Sequence, residues 1–217
     1  SLEAKIRNLD VAPNDFEKLV ETVRLEGIEF TIVGPEAPLV EGIVDYFHKE
    51  GLPCFGPIKK AAQLEGSKAF TKQFLEKYSI PTGKFETFDD LQTAVNYVEK
   101  QGVPIVIKAD GLAAGKGVVI AKTIEEATES LKEMLSGEAF GDAGKQVVIE
   151  EFLEGEEASF ICLCDGKIAI PFASSQDHKT RDEGDKGPNT GGMGAYSPAP
   201  VVDNKVHERV MLEIIEP

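Results

Sequence analysis

The chain has 217 residues, which is enough for one or two domains with a substantial hydrophobic core. Lys and Arg total 23 against 38 Asp and Glu, so the formal net charge is −15, and this negative field disfavours nucleic acids and anionic membranes as partners. No apolar run approaches the length of about 18 residues that is typical of a membrane span. A phosphate site in this chain would therefore be local, built from a few lysines and backbone amides.

The first part of the chain alternates helices and short strands. Apolar spacing predicts helices over Asp15–Glu26 and Leu39–Glu50, and buried strands over Phe30–Val33 and Leu52–Gly56. This alternation is typical of a parallel sheet with helices on its faces. A doubly wound sheet normally opens with a strand and its first loop, so we expect residues before Ser1 in the parent protein.

A segment rich in proline follows the first of these strands. Gly34–Leu39 (GPEAPL) lies at the carboxyl end of the strand, where open α/β sheets bind ligands. Glu36 is therefore a candidate ligand-binding residue. The alternative is that its carboxylate only stabilises the next helix through the helix dipole.

The middle of the chain is predicted to contain three helices. The predicted helix Ser67–Tyr78 carries Lys68 and Lys72 one turn apart. Further helices are predicted over Phe88–Gln101 and Ile124–Ser136.

Between those two helices lies a predicted hairpin. Two β-branched apolar runs, Ile105–Ile107 and Val118–Ile120, flank a stretch of Gly and Ala with Lys108 at one end and Lys116 at the other. Bare backbone N–H groups and lysines there suit a phosphate. The stretch lacks the residue order of a Walker A loop and the strand-to-helix turn of a dinucleotide site. The alternative is a glycine-rich turn with two solvated lysines.

The next strand turns sharply acidic. Val147–Gly155 begins as an apolar strand and continues into carboxylates, so its backbone could bind an adenine while a carboxylate holds the ribose hydroxyls. The alternative is a solvated acidic turn. A hairpin is then predicted from Ser159–Cys164 to Lys167–Phe172 around the turn Asp165-Gly166.

The three cysteines, Cys54, Cys162 and Cys164, are odd in number and have no paired spacing. Cys162 and Cys164 are two residues apart in a predicted strand and are expected on the same face. We expect all three to be reduced thiols in a cytosolic protein, since the charged N-terminal residues also lack the pattern of a signal peptide.

A long polar loop is predicted over Ser174–Ser197. It contains Asp177, His178 and Lys179 and is rich in glycine between Gly187 and Gly194, so its backbone amides could grip a carboxylate or a phosphate. His178 lacks partners at the spacing of a zinc site or a catalytic triad. A helix is predicted over Asn204–Ile215.

Together these stretches resemble the glycinamide ribonucleotide synthetase family, also called phosphoribosylamine–glycine ligases, of the ATP-grasp superfamily. The resemblance covers nearly the whole chain from about Phe30 onward, and its motifs occur in the family's order. The motifs that carry it are Gly34–Leu39 (GPEAPL), Leu64–Lys72 (LEGSKAFTK), Ile105–Gly117 (IVIKADGLAAGKG), Ile149–Glu157 (IEEFLEGEE), Gln176–Lys179 (QDHK) and Gly187–Pro198 (GPNTGGMGAYSP).

The resemblance implies an α/β fold in which a truncated doubly wound N-terminal domain with its linker helix (1–84) precedes an ATP-grasp fold. That fold would comprise a small α+β lid subdomain (85–150) and the first part of the larger antiparallel-sheet subdomain (151–217). It also implies ligation of glycine to 5-phosphoribosylamine through glycyl phosphate, with ADP, phosphate and glycinamide ribonucleotide as products of purine biosynthesis.

The resemblance assigns a role to each matching residue. Lys68 and Lys108 would bind the ATP phosphates and stabilise transition-state charge, without a protein nucleophile. The flap would comprise Gly115, Lys116 and Gly117. The adenine and ribose contacts would come from Glu150, Glu151, Phe152, Leu153 and Glu157. The face for phosphoribosylamine and glycine would comprise Glu36, Pro38, Asp177, His178, Lys179, Gly191, Gly192, Met193 and Gly194.

The family pattern places its Mg²⁺ or Mn²⁺ ligands after Pro217, so no metal ligand is expected in this chain. The 217 residues alone are therefore expected to bind ATP weakly and to be inactive. The parent enzyme is expected in the cytoplasm as a monomer or weak dimer. Its partners would be small molecules, and neither nucleic acid nor membrane.

Two other interpretations stay open at this point. One is a different ATP-grasp carboxylate–amine ligase, such as a formate-using or bicarbonate-using relative, in which Gln176–Lys179 and Gly187–Pro198 would differ. The other is a non-catalytic nucleotide-binding or scaffold module. Calorimetry separates these functions, since a catalytic parent should bind ATP with magnesium and show synergy with glycine.

Overall fold

The computed structural model describes residues 6–112, 117–137, 145–184 and 186–217. The chain divides into two compact units. The first comprises Ser1–Gln73 with Lys84–Glu151, and the second comprises Phe74–Gly83 with Phe152–Pro217. The boundaries expected near residues 84 and 150 stay predictions.

The first unit opens with helices around a short parallel sheet. Its elements are α1 (Phe16–Leu25), β1 (Thr31–Ile32), α2 (Glu36–Glu41), α3 (Ile43–Lys49), β2 (Cys54–Phe55) and α4 (Lys59–Gly66), followed by the start of α5 (Lys68–Lys77). Strands β1 and β2 pair in parallel, which confirms the predicted arrangement. Val20 and Val23 of α1 pack on Ile43, Val44 and Phe47 of α3 to form the core.

The single helix predicted over Leu39–Glu50 is wrong. The structure has two helices, because Gly42 adopts the left-handed conformation with φ +102° and ends α2. Its N–H donates to the carbonyls of Pro38 and Leu39, which is how a glycine terminates a helix without steric cost. Helix α2 also begins earlier than predicted, at Glu36 instead of Leu39. Helix α4 was not predicted.

The rest of the first unit is a four-stranded sheet under two helices. It comprises β3 (Phe85–Phe88), α6 (Leu91–Gln101), β4 (Ile105–Ala109), β5 (Val118–Ala121), α7 (Ile124–Leu135) and β6 (Val147–Glu151). The strand order is β3-β6-β4-β5, and every neighbouring pair is antiparallel. The predicted hairpin of β4 and β5 is confirmed. The helix predicted over Phe88–Gln101 begins later, at Leu91, because Asp90 caps it and the preceding residues pair with β6.

Side chains alternate between the two faces of β4 and β6, so every second residue faces helices α6 and α7. Ile105, Ile107, Val147 and Ile149 are buried against α6 and α7. Successive side chains of a strand point to opposite faces, so Lys108 and its even-numbered neighbours point away from that core.

The second unit is built from two hairpins and a terminal helix. Its elements are β7 (Cys162–Cys164), β8 (Ala169–Pro171), β9 (Gln176–Asp182), β10 (Lys186–Tyr196) and α8 (Asn204–Val210), with a final π-helical turn at Met211–Ile215. The predicted hairpin of β7 and β8 is confirmed. Asp165 accepts hydrogen bonds from the N–H groups of Lys167 and Ile168 in its turn, and these bonds lower the pKa of the Asp165 carboxyl.

The polar loop predicted over Ser174–Ser197 is wrong, since most of it forms the antiparallel pair β9 and β10. The pairing register shifts between Lys186 and Asn189 and again between Asn189 and Gly194. Ladder hydrogen bonds need only backbone groups, so a glycine-rich, polar sequence can pair without the apolar alternation that signals a strand.

The helices in the described part of the chain all fall short of the length and apolar content that a bilayer span requires.

We expect Gly56→Ala to lower the free energy of unfolding by about 1–3 kcal/mol. A Cβ at Gly56 would lie 2.8 Å from Leu39 Cδ2 and 3.0 Å from Val44 Cγ2, so packed side chains would have to move. Gly34→Ala is the control, because a Cβ there meets nothing within 4 Å, and its effect should stay within about 0.5 kcal/mol. The chain lacks Trp, so urea unfolding should be followed by far-UV circular dichroism. Equal stability of the two variants would contradict this packing.

Candidate functional site

A charged cavity of about 330 Å³ lies within the first unit. It is bordered by the ends of α4, α5, β4, β5 and β6. Its lining residues are Glu36, Leu64, Glu65, Lys68, Thr71, Lys72, Lys108, Gly111, Leu112, Gly117, Val118 and Glu150. A second cavity of about 390 Å³ in this unit has, among the described residues, no charged side chain in its lining, so of these two the first is better suited to an anionic ligand.

The sheet register brings Lys108 and Glu150 together. Lys108 pairs with Val148, and Glu150 is two residues further along the same strand. Both side chains therefore lie on the sheet face opposite α6 and α7 as diagonal neighbours. Lys108 Nζ is 2.9 Å from Glu150 Oε1.

Lys72 completes this cluster from helix α5. Its Nζ is 3.0 Å from Glu150 Oε2 and lies over the Phe85 ring, 5.6 Å from the centroid. Lys72 and Glu150 are only 9% and 8% exposed. A buried carboxylate is tolerated when both oxygens are paired, and here each oxygen has its own ammonium group.

Lys68 is the third lysine of the cavity. Its Nζ donates a hydrogen bond of 2.7 Å to the carbonyl of Gly111. Burial lowers the pKa of the Lys68 ammonium below its ordinary value, and the positive charge of Lys108 also lowers it. The carboxylates of Asp110, Glu65 and Glu150 act in the opposite direction.

The enclosed part of this cavity carries excess positive charge. Three lysines face one buried carboxylate there, whereas Glu36 and Glu65 are exposed and more strongly screened by water. A ligand with several negative charges would balance this excess. The geometry therefore suits a polyphosphate better than a neutral or cationic molecule.

Sequence reasoning singled out Lys68, Lys108 and Glu150, and the structure brings them to one cavity. It missed Lys72 as a site residue. The available signal was the spacing of Lys72 one turn after Lys68, which puts both on one helix face.

The residues predicted to contact adenine and ribose after β6 have different surroundings. Glu151 is tied to Lys84, whose backbone N–H donates to Glu151 Oε1 at 2.8 Å and whose carbonyl accepts from Glu151 N. Phe152, Leu153 and Glu157 are exposed and belong to the second unit, so their adenine and ribose contacts stay predictions.

Two of the predicted flap residues, Gly115 and Lys116, lie outside the described residues. Gly117 is described, is buried and lines the cavity. Its carbonyl accepts a hydrogen bond of 2.8 Å from Ala109 N, which extends the pairing of β4 and β5 beyond their ladder.

The predicted substrate residues lie in both units. Glu36 lines the charged cavity, whereas Pro38 is buried and lines the apolar one. Asp177, His178 and Lys179 lie on β9, and the glycine-rich segment Gly191–Gly194 lies on its partner strand β10.

Within the second unit, the hairpin gathers polar groups. His178 pairs with Gly194, and its ring centroid is 5.4 Å from that of Tyr196. Lys179 Nζ lies 3.7 Å from Asp177 Oδ2 and 3.8 Å from Glu157 Oε2, so one exposed lysine contacts two predicted site carboxylates. Surface ion pairs of this length contribute little stability, which leaves Lys179 available for an anionic group.

Among the described residues, no group of three or more His, Cys, Asp or Glu side chains is arranged to hold a metal ion.

Comparison with protein-family models assigns the whole chain. The model described as phosphoribosylglycinamide synthetase, ATP-grasp (A) domain, matches residues 66–217, and the one described as its N domain matches residues 1–65. The chain belongs to the phosphoribosylglycinamide synthetase family.

Relatives of known name agree with this family. The phosphoribosylamine–glycine ligase of Vibrio vulnificus strain YJ016 is 59% identical over 217 residues, covering 100% of this chain and 51% of its own length. That of Xanthomonas axonopodis pv. citri is 59% identical over 215 residues, covering 99% and 50%. The chain thus spans about half the length of the curated relatives it matches.

Solved structures support the fold of a phosphoribosylglycinamide synthetase. The crystal structure of phosphoribosylamine–glycine ligase from Thermotoga maritima is 37% identical, with a TM-score of 0.70 over 86% of this chain and 46% of that chain. Biotin carboxylase from Campylobacter jejuni is 17% identical, with a TM-score of 0.74 over 93% and 45%, and shows the fold alone. The expected N-terminal α/β domain followed by part of an ATP-grasp fold is confirmed.

We expect Lys72→Met to lower the free energy of unfolding by about 1–3 kcal/mol, because Glu150 Oε2 would lose its ammonium partner in a buried position. Lys60→Met is the matched control, since Lys60 is exposed on the adjacent helix α4, and its effect should stay within about 0.5 kcal/mol. Urea unfolding followed by circular dichroism measures both. Indistinguishable midpoints would mean that the buried carboxylate does not depend on Lys72.

Proposed function

We propose that the protein containing this chain ligates glycine to 5-phosphoribosylamine at the expense of ATP, giving glycinamide ribonucleotide, ADP and phosphate. The observation that carries this proposal is the cavity in which Lys68 and Lys108 lie beside Glu150. Membership of the phosphoribosylglycinamide synthetase family supports the choice of substrates.

The chemistry requires an activated carboxyl group. A carboxylate resists attack by an amine because of its resonance and its negative charge. Transfer of the ATP γ-phosphoryl group to glycine would give glycyl phosphate, whose phosphate is a good leaving group, and the amine of phosphoribosylamine would then attack the acyl carbon. Such a reaction needs positioned substrates and neutralised charge, and it needs no protein nucleophile.

The lysines of the cavity suit this demand. Lys68 and Lys108 would neutralise phosphate oxygens whose charge is redistributed during transfer. Glu150 would hold Lys108 in place before the nucleotide binds, since the two groups are 2.9 Å apart. A divalent metal, Mg²⁺ or Mn²⁺, would neutralise further phosphate charge when bound.

The remaining predicted residues would complete substrate binding. The backbone from Glu150 to Leu153 would bind the adenine, and Glu157 would bind the ribose hydroxyls. Glu36 would attract an amine-bearing substrate to the mouth of the cavity. The hairpin of β9 and β10 would bind the substrate phosphate through Lys179 and the amides near Gly191–Gly194.

We further propose that the enzyme acts in the cytoplasm on small molecules, as a monomer or weak dimer. The three cysteines are free thiols, as expected in a reducing compartment. The net charge of −15 disfavours nucleic acid as a partner.

In the full-length protein, Lys108→Ala should lower the rate of ATP turnover by about 100-fold or more, because one fixed charge at the transferring phosphoryl group is lost. Lys100→Ala is the control, since Lys100 is exposed on α6 and is not among the lining residues of the cavity. ADP release measures the rate, and circular dichroism should show that both variants are folded. Retained turnover in Lys108→Ala would remove Lys108 from the phosphate site.

The full-length protein should turn over ATP continuously only when glycine and 5-phosphoribosylamine are both supplied with Mg²⁺. The substrate dependence follows because the acyl phosphate is consumed only by the amine. Omitting each substrate in turn, while measuring ADP and glycinamide ribonucleotide, tests this expectation. Tight ATP binding without turnover would instead identify a nucleotide-binding module.

A further inference from the structure

One acidic residue outside the predicted site, Asp110, connects the helix that carries Lys68 with the strand that carries Lys108. Asp110 directly follows β4, and its backbone N–H donates to the carbonyl of Gln146 at 2.9 Å. Its carboxylate is directed to the beginning of α5. Asp110 Oδ1 accepts a hydrogen bond of 3.1 Å from Ala69 N, and both carboxylate oxygens lie 3.1 Å from the hydroxyl of Ser67.

These contacts fix both the backbone and the ammonium group of Lys68, a residue of helix α5. The backbone on either side of Lys68 is bound to Asp110 through Ser67 and Ala69. The ammonium group of Lys68 donates to the carbonyl of Gly111, the residue after Asp110. Since Lys108 is only two residues before Asp110, the same short segment determines the separation of the two lysines.

We propose that Asp110 is a positioning residue that holds Lys68 opposite Lys108 for phosphate binding. This inference rests on the proposed function, in which both lysines bind the nucleotide phosphates. Asp110 acts through Lys68, and no contact of Asp110 with the substrate is required.

A negative charge is needed here because the two lysines repel each other. Burial and Lys108 lower the pKa of the Lys68 ammonium, and Asp110 is the foremost of the groups that raise it. The other charged groups that act on Lys68 or line its cavity are Glu65, Glu150, Glu36 and Lys72. Loss of the Asp110 charge would therefore favour the neutral amine of Lys68, which binds phosphate poorly.

A purely structural alternative is that Asp110 only caps the helix. Ser67 already serves as a local cap, since its hydroxyl accepts a hydrogen bond from Phe70 N at 3.1 Å. A cap supplied across the fold by Asp110 would stabilise α5 whatever the protonation state of Lys68. The two roles are separated by replacing the charge while an acceptor oxygen is kept.

The test uses Asp110→Asn in the full-length enzyme. We expect kcat/KM for ATP to fall about 10- to 100-fold, and its alkaline limb to move to lower pH, because Lys68 would lose its proton at lower pH. Asp110→Glu keeps the charge and should restore the alkaline limb towards that of the wild type. ATP binding by calorimetry across the same pH range gives a second readout that does not depend on turnover.

Two controls isolate the capping contribution. Asp90 caps α6 by accepting a hydrogen bond of 2.9 Å from Thr93 N, and it is not among the lining residues of the cavity. Asp90→Asn should lower stability slightly and leave the pH profile unchanged. Ser67→Ala removes the cap hydroxyl and its contact with Asp110 but no charge, so it should weaken the positioning of Lys68 while leaving the alkaline limb in place.

The outcomes distinguish this inference from the proposed function. If Asp110→Asn behaves like Asp90→Asn, with a lower melting temperature and an unchanged alkaline limb of ATP binding, Asp110 is a cap only and the inference falls. If the wild-type enzyme binds ATP without ligating glycine, the proposed function falls, while the pH profile of ATP binding still decides the role of Asp110. Absence of ATP binding by the wild type would overturn both.

Discussion

A carboxylate shared between two ammonium groups fixes the charged side of the first unit. Glu150 receives Lys72 from the helix on one oxygen and Lys108 from the neighbouring strand on the other. Removing charges from water costs free energy, and this cost is offset only if each group keeps a partner. The helix and the sheet therefore have one relative position that satisfies all three groups, and this position also defines the cavity.

The same cluster carries a net positive charge, and this charge makes it suitable for a polyphosphate. Glu150 balances only one of its two lysines, and Asp110 offsets part of the charge of Lys68, so a net positive charge remains for a ligand. Family membership and the geometry both support the proposal of a phosphate-binding site here. The fold supplies rigid strands and a helix for the charges, so little reorganisation is needed when an anion binds.

The sequence predicted the elements that have a local signal. The β-branched runs on either side of the glycine-rich stretch predicted the hairpin of β4 and β5, and Lys108 and Glu150 were singled out because they lie in motifs of the family. The partnership of Lys72 with Glu150 could not be predicted, since it depends on how a helix packs on a distant strand. Periodicity continued through Gly42, so the break there, which depends on one backbone conformation, was missed. The strands β9 and β10 were missed because backbone pairing, rather than apolar alternation, forms them.

Because side chains alternate between the two faces of β4, a change in the length of this strand would move Lys108 out of its place. Deleting one residue between Ile105 and Lys108 would turn the lysine inward among apolar helices and expose an isoleucine to the ligand. Removing two would preserve parity but shift the charge by about 7 Å along the strand, to the position directly opposite Glu150 and away from its present place in the cavity. The strand itself should therefore tolerate exchange of residues but not insertion or loss.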